Sequence, residues 1–125
     1  SGDDSLTLDV ISVGGKGVIS VTANILPGTV SEIVREGLLG DLEKSRRMND
    51  HILPLHRGMF IETNPIPVKE ALNLLGWQVG EPRLPLTTMS EVGRSHLRKL
   101  LVSYLAELED EHAAFRGPLT LSVEA

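Results

Sequence analysis

The chain has 125 residues, 41% apolar and 23% charged, the size and balance of one globular domain rather than of a disordered segment. Seventeen Asp and Glu against twelve Lys and Arg leave a formal charge of -5, which repels a phosphate backbone and argues against a nucleic-acid partner. Without cysteine there is no disulfide, thiolate metal site or cysteine nucleophile, and no apolar run reaches the roughly 20 residues of a membrane span.

The N-terminal Ser1-Gly2-Asp3-Asp4 is acidic where a signal peptide is basic, so a soluble, cytoplasmic chain without a membrane partner is expected. It leads straight into structured pattern without a Met, as though an upstream element preceded it. Asp3 and Asp4 serve as N-caps for a short helix over residues 5–13, with Leu6, Val10 and Val13 at helical spacing and Gly14-Gly15 as the stop. Gly17-Val18-Ile19-Ser20-Val21-Thr22 follows, a β-branched run without alternation, as in a strand buried on both faces of a parallel sheet. Thr29 and Glu32 have capping-box spacing for a helix ending near Gly40.

Asp41 caps a longer helix through Arg46, Met48, Ile52 and Leu55 towards Phe60, with Pro54 bending it near Asp50. Asn64-Pro65-Ile66-Pro67 opens another helix, with Ala71, Leu72 and Leu75 as its stripe and Gly76 as its end. Residues 77–87 read as an ordered loop, and Thr88-Met89-Ser90-Glu91 offers a second capping box. The last helix carries Val92, Leu97, Leu100, Leu101, Tyr104, Leu105 and Leu108 and closes at Gly117-Pro118, before a short alternating tail. One buried-type strand among five helices is incomplete, because unpaired buried backbone groups cost roughly 1–3 kcal/mol each. Residues 18–21 therefore need neighbours, either from residues beyond this chain or from a second copy.

Candidate chemistry is sparse. The glycines of Gly14-Gly15-Lys16-Gly17 precede a strand, whereas a phosphate loop follows one. His51 and His56 are five apart, a spacing that does not converge on a metal, so solvent or capping roles are expected. The acidic run Glu107, Glu109, Asp110, Glu111 with His112 reads as a solvated face, and no metal site is expected. Ser20 has no nucleophile elbow. Lys16, Lys44, Lys69 and Lys99 are the available amines, and none projects from the end of a buried strand.

Several stretches, in order, carry a resemblance: Ser1-Gly2-Asp3-Asp4, Gly14-Gly15-Lys16-Gly17-Val18-Ile19-Ser20-Val21-Thr22-Ala23-Asn24, Leu53-Pro54-Leu55-His56, Asn64-Pro65-Ile66-Pro67-Val68-Lys69 and Arg83-Leu84-Pro85-Leu86-Thr87. Residues 1–105 resemble the C-terminal part of the dihydrodipicolinate synthases, within the pyruvate-dependent aldolase and lyase superfamily. The resemblance implies an α/β fold. Residues 1–40 would be the last βα units of a (β/α)8 TIM barrel (the end of strand 7, and strand 8), residues 41–117 a helical C-terminal domain and residues 118–125 a tail. The piece within this chain would be mostly α-helical.

It further implies condensation of pyruvate with aspartate semialdehyde through a lysine Schiff base, in lysine and diaminopimelate biosynthesis. The Schiff-base lysine and the tyrosine of the proton relay correspond to sequence upstream of Ser1, so no catalytic residue and no cofactor is assigned here. Gly2 matches the family's glycine at the pyruvate pocket, and Ile19 the residue whose backbone carbonyl faces the keto acid. The expected partners are a pyruvate-class molecule once the chain is completed, and further copies or a complementing fragment, with the helix over residues 5–13 at a subunit contact. The alternative is a shortened, non-catalytic interaction or regulatory relative.

Overall fold

The structure, a computed structural model, describes residues 1–116; the expected closure at Gly117-Pro118 and the tail lie outside them. They are mostly helical and form two compact units, Ser1–Arg57 and the described residues from Gly58 on.

In the first unit Asp3 is the cap, its carboxylate accepting the Ser5 N–H at 3.2 Å and the Ser5 hydroxyl at 2.9 Å. A 3-10 turn, Asp4–Leu6, then runs into α1, Thr7–Ser12. This corrects two expectations. Asp4 is no cap but a buried side chain, and the inward face of α1 is Thr7, Leu8 and Ile11, whereas Leu6 and Val13 face outward. The 3-10 turn winds more tightly than an α-helix, so it rotates the face that an unbroken helix from Ser5 would have buried.

The stop falls where the glycines demand it. Gly14 has φ +103°, its N–H donates to Ile11 O at 3.0 Å, and the Gly15 N–H donates to Val10 O at 2.8 Å. This is a Schellman closure. The same pattern closes α2, Pro27–Leu38, at Gly40 and α4, Ile66–Leu74, at Gly76. A Cβ on Gly15 would lie 2.7 Å from the Val10 carbonyl oxygen, held by that turn, and 2.3 Å from Val10 Cγ1. Gly15→Ala is therefore expected to cost about 1–3 kcal/mol in chemical unfolding.

The expected strand is not formed: among the described residues none is in a strand. Residues 15–20 run without regular structure, Ile19 is 84% exposed, and Val21 turns to helical angles ahead of a second 3-10 turn, Thr22–Asn24. One rung of a ladder is nevertheless in place. The Ser1 amino group donates to Gly17 O at 2.8 Å, and the Ile19 N–H donates to Ser1 O at 2.8 Å. One residue bonded to two positions that flank Val18 is the parallel pattern. The N–H and C=O of Val18 point to the other edge and have no hydrogen bond among the described residues.

The helix after this segment, α2, opens on Pro27, two residues ahead of the expected capping box, since proline at a first turn needs no N–H partner. Asp41 caps α3, Leu42–Gly58, accepting the Lys44 N–H at 3.0 Å. The helix runs on through Pro54. Its buried face carries Ser45, Asn49, Ile52, Leu55 and His56, while Arg46 is exposed. The Ser45 hydroxyl donates to Ile33 O at 2.6 Å, tying α3 to α2.

In the second unit α4 buries Ile66, Val68, Ala71 and Leu74. The ordered loop after it is held by Asn73, whose amide donates to Gly80 O at 2.9 Å and accepts the Val79 N–H at 2.8 Å. The cap of α5, Glu91–Ser103, is Ser90 and not Thr88: Ser90 Oγ accepts the Gly93 N–H at 3.1 Å. Glu62, from a distant loop, accepts the Ser90 N–H at 3.2 Å and its hydroxyl at 2.7 Å, the task a capping-box Glu performs locally. Ser90→Ala is expected to cost about 0.5–2 kcal/mol, read from thermal unfolding.

The last helix is two, because Tyr104 (φ -113°, ψ 19°) separates α5 from α6, Leu105–Arg116. Its N–H bonds to Leu101 O, three residues back, so the α-helical ladder is interrupted. Leu97, Leu101, Tyr104 and Leu108 are the buried stripe, whereas Val92 is exposed. Within the acidic run His112 is buried, and its Nδ1 accepts the Trp77 indole N–H at 2.9 Å.

Candidate functional site

A buried polar cluster of the Ser1–Arg57 unit forms where residues 1–4 lie beside residues 17–22. Asp4 is 2% exposed, and its carboxylate accepts three donors: the Ser20 hydroxyl, the Val21 N–H at 2.9 Å and the Thr22 N–H at 3.2 Å. Ser20 Oγ in turn accepts the Ala23 N–H at 2.9 Å, closing the start of the 3-10 turn at Thr22–Asn24. A carboxylate facing consecutive amides at the start of a turn is the same physics as a helix cap, supplied from another segment.

Behind Asp4 the cluster continues into α3. The Thr22 hydroxyl lies 2.8 Å from His56 Nδ1, and His56 Nε2 lies 2.9 Å from Asn49 Oδ1. An amide oxygen only accepts, so Nε2 carries the hydrogen and Nδ1 accepts from Thr22. Asn49 and His56 are seven residues apart, two turns of α3, and so share one face. The Asp4 carboxylate is 3.9 Å from His56 Nδ1, outside hydrogen-bond range. Burial pushes the His56 imidazole below its ordinary value of 6.5, and the Asp4 and Asp3 carboxylates pull the other way without overcoming it.

This corrects the expectation of a solvent or capping role for His56; His51 is exposed. The signal was present in α3. Its core positions Ile52 and Leu55 continue through Asn49 and Ser45 on one side and His56 on the other, polar residues at places that packing reserves for apolar ones.

Gly2 and Ile19 come together through the Ser1 rung, since Ile19 N–H holds the carbonyl of the Ser1–Gly2 peptide. Both are exposed, and a Cβ on Gly2 would meet nothing within 4 Å. The Gly2 N–H and the Ile19 C=O have no hydrogen bond among the described residues. A donor and an acceptor thus stand open beside a clamped turn. The four lysines lie elsewhere in character: Lys16 and Lys99 are exposed, Lys44 pairs with Glu36 at 3.2 Å, and Lys69 is half-buried near the start of α4. Among the described residues no three His, Asp or Glu side chains are grouped to hold a metal ion, and no helix is long and apolar enough to cross a membrane.

The profile of the dihydrodipicolinate synthetase family matches residues 1–104, and the chain belongs to that family. It is similar to the 4-hydroxy-tetrahydrodipicolinate synthase of Caldicellulosiruptor bescii, 54% identical over 104 residues, which are 83% of this chain and 35% of that one. Among solved structures it resembles dihydrodipicolinate synthase from Aquifex aeolicus, with TM-score 0.81 and 48% identity over 83% of this chain and 36% of that one. The chloride-inhibited synthase from Acinetobacter baumannii, complexed with pyruvate, matches with TM-score 0.78 and 41% identity over 82% of this chain and 35% of that one. These relatives are TIM-barrel proteins, and the chain spans about a third of the length of the curated relatives it matches.

Proposed function

We propose that this chain acts as the C-terminal third of a 4-hydroxy-tetrahydrodipicolinate synthase, which condenses pyruvate with aspartate semialdehyde through a lysine Schiff base. Residues 1–40 supply the end of barrel strand 7 and all of strand 8, with the helical domain following from residue 41. The observation that carries this reading is the parallel rung at Ser1, Gly17 and Ile19, with the Val18 edge open to a further strand. In a closed barrel both edges of strand 8 are paired. The setting is cytoplasmic, and the assembled protein is a homo-oligomer.

In this reading Gly2 and the Ile19 carbonyl line the pyruvate pocket, and the nucleophilic amine comes from sequence outside residues 1–125. Residues 1–125 alone then make no product. Lys44 is held in an ion pair with Glu36, and Lys16 and Lys99 are solvated, so none of these three is shielded from water as a Schiff-base lysine is; Lys69 is half-buried beside the first turn of α4 and is not on a strand.

The test is borohydride trapping with pyruvate followed by mass spectrometry. The isolated chain is expected to show no adduct at Lys16, Lys44, Lys69 or Lys99. A chimaera in which residues 1–104 replace the matched segment of the Caldicellulosiruptor bescii protein is expected to trap one pyruvate, on a lysine outside this chain. An adduct on the isolated chain, or a folded chimaera without one, overturns the reading.

A further inference from the structure

We propose that Thr22 and His56 are positioning residues for the keto acid: they fix the turn that aims the Ile19 carbonyl into the pocket. The inference rests on the synthase reading above and concerns how α3 governs that pocket.

The segment from Ile19 to Ala23 is held at five donors that flank one open peptide. The Ile19 N–H is taken by Ser1 O, the Ser20 hydroxyl by Asp4, the Val21 and Thr22 N–H groups by Asp4, and the Ala23 N–H by Ser20 Oγ. The peptide between Ile19 and Ser20 is left open: neither the Ile19 carbonyl nor the Ser20 N–H has a hydrogen bond among the described residues. The direction of the carbonyl is set by the peptide plane it shares with the Ser20 N–H, and that plane is bracketed by bonds on both sides.

Asp4 holds this segment from the side of α1, and Thr22 holds it from the side of α3. The Thr22 hydroxyl is fully buried and donates to His56 Nδ1, while His56 Nε2–H donates to Asn49 on the same helix. Four buried polar residues on two 3-10 turns and α3 thus form one continuous chain, Asp4 through Thr22 and His56 to Asn49. None of them touches the open donor and acceptor, so their effect on a ligand is through geometry. A carbonyl displaced by a fraction of an ångström loses much of its directional interaction.

The experiment uses the chimaera of the preceding subsection with Thr22→Val, which keeps shape and removes the hydroxyl, and Thr22→Ser, which restores it. Thr22→Val is expected to raise KM for pyruvate about tenfold and leave KM for the aldehyde within about twofold; Thr22→Ser is expected to return pyruvate KM to near the parent value. Circular dichroism and the melting temperature establish that each variant is folded at the assay temperature. A folded Thr22→Val chimaera with the parent KM for pyruvate overturns the inference. So does a Thr22→Ser chimaera as impaired as Thr22→Val, or an equal rise in KM for both substrates. If the unmutated chimaera traps no pyruvate, the synthase reading itself fails and the inference goes with it; if it traps pyruvate and Thr22→Val changes nothing, only the inference fails.

Discussion

Asp4→Ala is expected to destabilise the Ser1–Arg57 unit by about 3 kcal/mol or more, the largest effect of any single substitution proposed for this chain. The substitution removes one carboxylate and orphans three donors, the Ser20 hydroxyl and the Val21 and Thr22 N–H groups. A buried orphaned donor such as the Thr22 N–H costs roughly 1–3 kcal/mol, and the half-buried Ser20 and Val21 donors add less because water reaches them. Asp4→Asn keeps one acceptor oxygen and sets an NH2 against a donor, so an intermediate loss is expected. Denaturant unfolding gives the total, and amide exchange gives its location: the Val21 and Thr22 amides should lose protection first. A loss below about 1 kcal/mol, or protection unchanged at those two amides, contradicts the role assigned to Asp4.

The second large effect centres on His56. His56→Ala is expected to cost about 2–4 kcal/mol, because it opens a cavity and leaves the buried Thr22 hydroxyl and Asn49 amide without their partner. The imidazole also makes stability depend on pH. Its value in the folded chain lies below the 6.5 of the free group, so at intermediate pH the unfolded chain binds more protons. The contribution is fully present above about pH 6.5 and is lost as pH falls through the lowered folded value. Protonation also puts a hydrogen on Nδ1, where the Thr22 hydroxyl donates, so that bond cannot survive in its present sense. His56→Gln is expected to flatten the melting temperature between pH 5 and 7 (about two units around the free-group value). A wild-type melting temperature that rises on acidification through this range would refute the assignment.

The helices were readable where local chemistry decides them. The Asp41 cap, the Gly40 and Gly76 stops and the ordered loop after Trp77 stand where residue type and spacing place them. Misreadings arose where a partner from elsewhere outbid a local one. Thr88 has Glu91 three residues on, yet the cap is Ser90, because Glu62 reaches it from a distant loop. Asp4 stands at a helix start like any cap, yet its carboxylate serves a hydroxyl sixteen residues away and amides seventeen and eighteen residues away.

The strand shows a different limit. Residues 17–22 have the composition of a buried parallel strand, and a strand exists only as a pair. Ser1 furnishes one rung, and the other edge finds nothing among the described residues.

The candidate site was legible in part. The order of motifs led to the family, but neither motif nor spacing showed that a histidine on α3 reaches the turn at Thr22. By its residues alone this protein settled its aliphatic core, its helix stops and its kinship, because propensity, glycine geometry and motif order act over a few positions. Which carboxylate is buried, which serine caps and which imidazole is held neutral were decided by tertiary structure. Those outcomes depend on donors and acceptors far apart in the chain, and only folding brings them within hydrogen-bond reach.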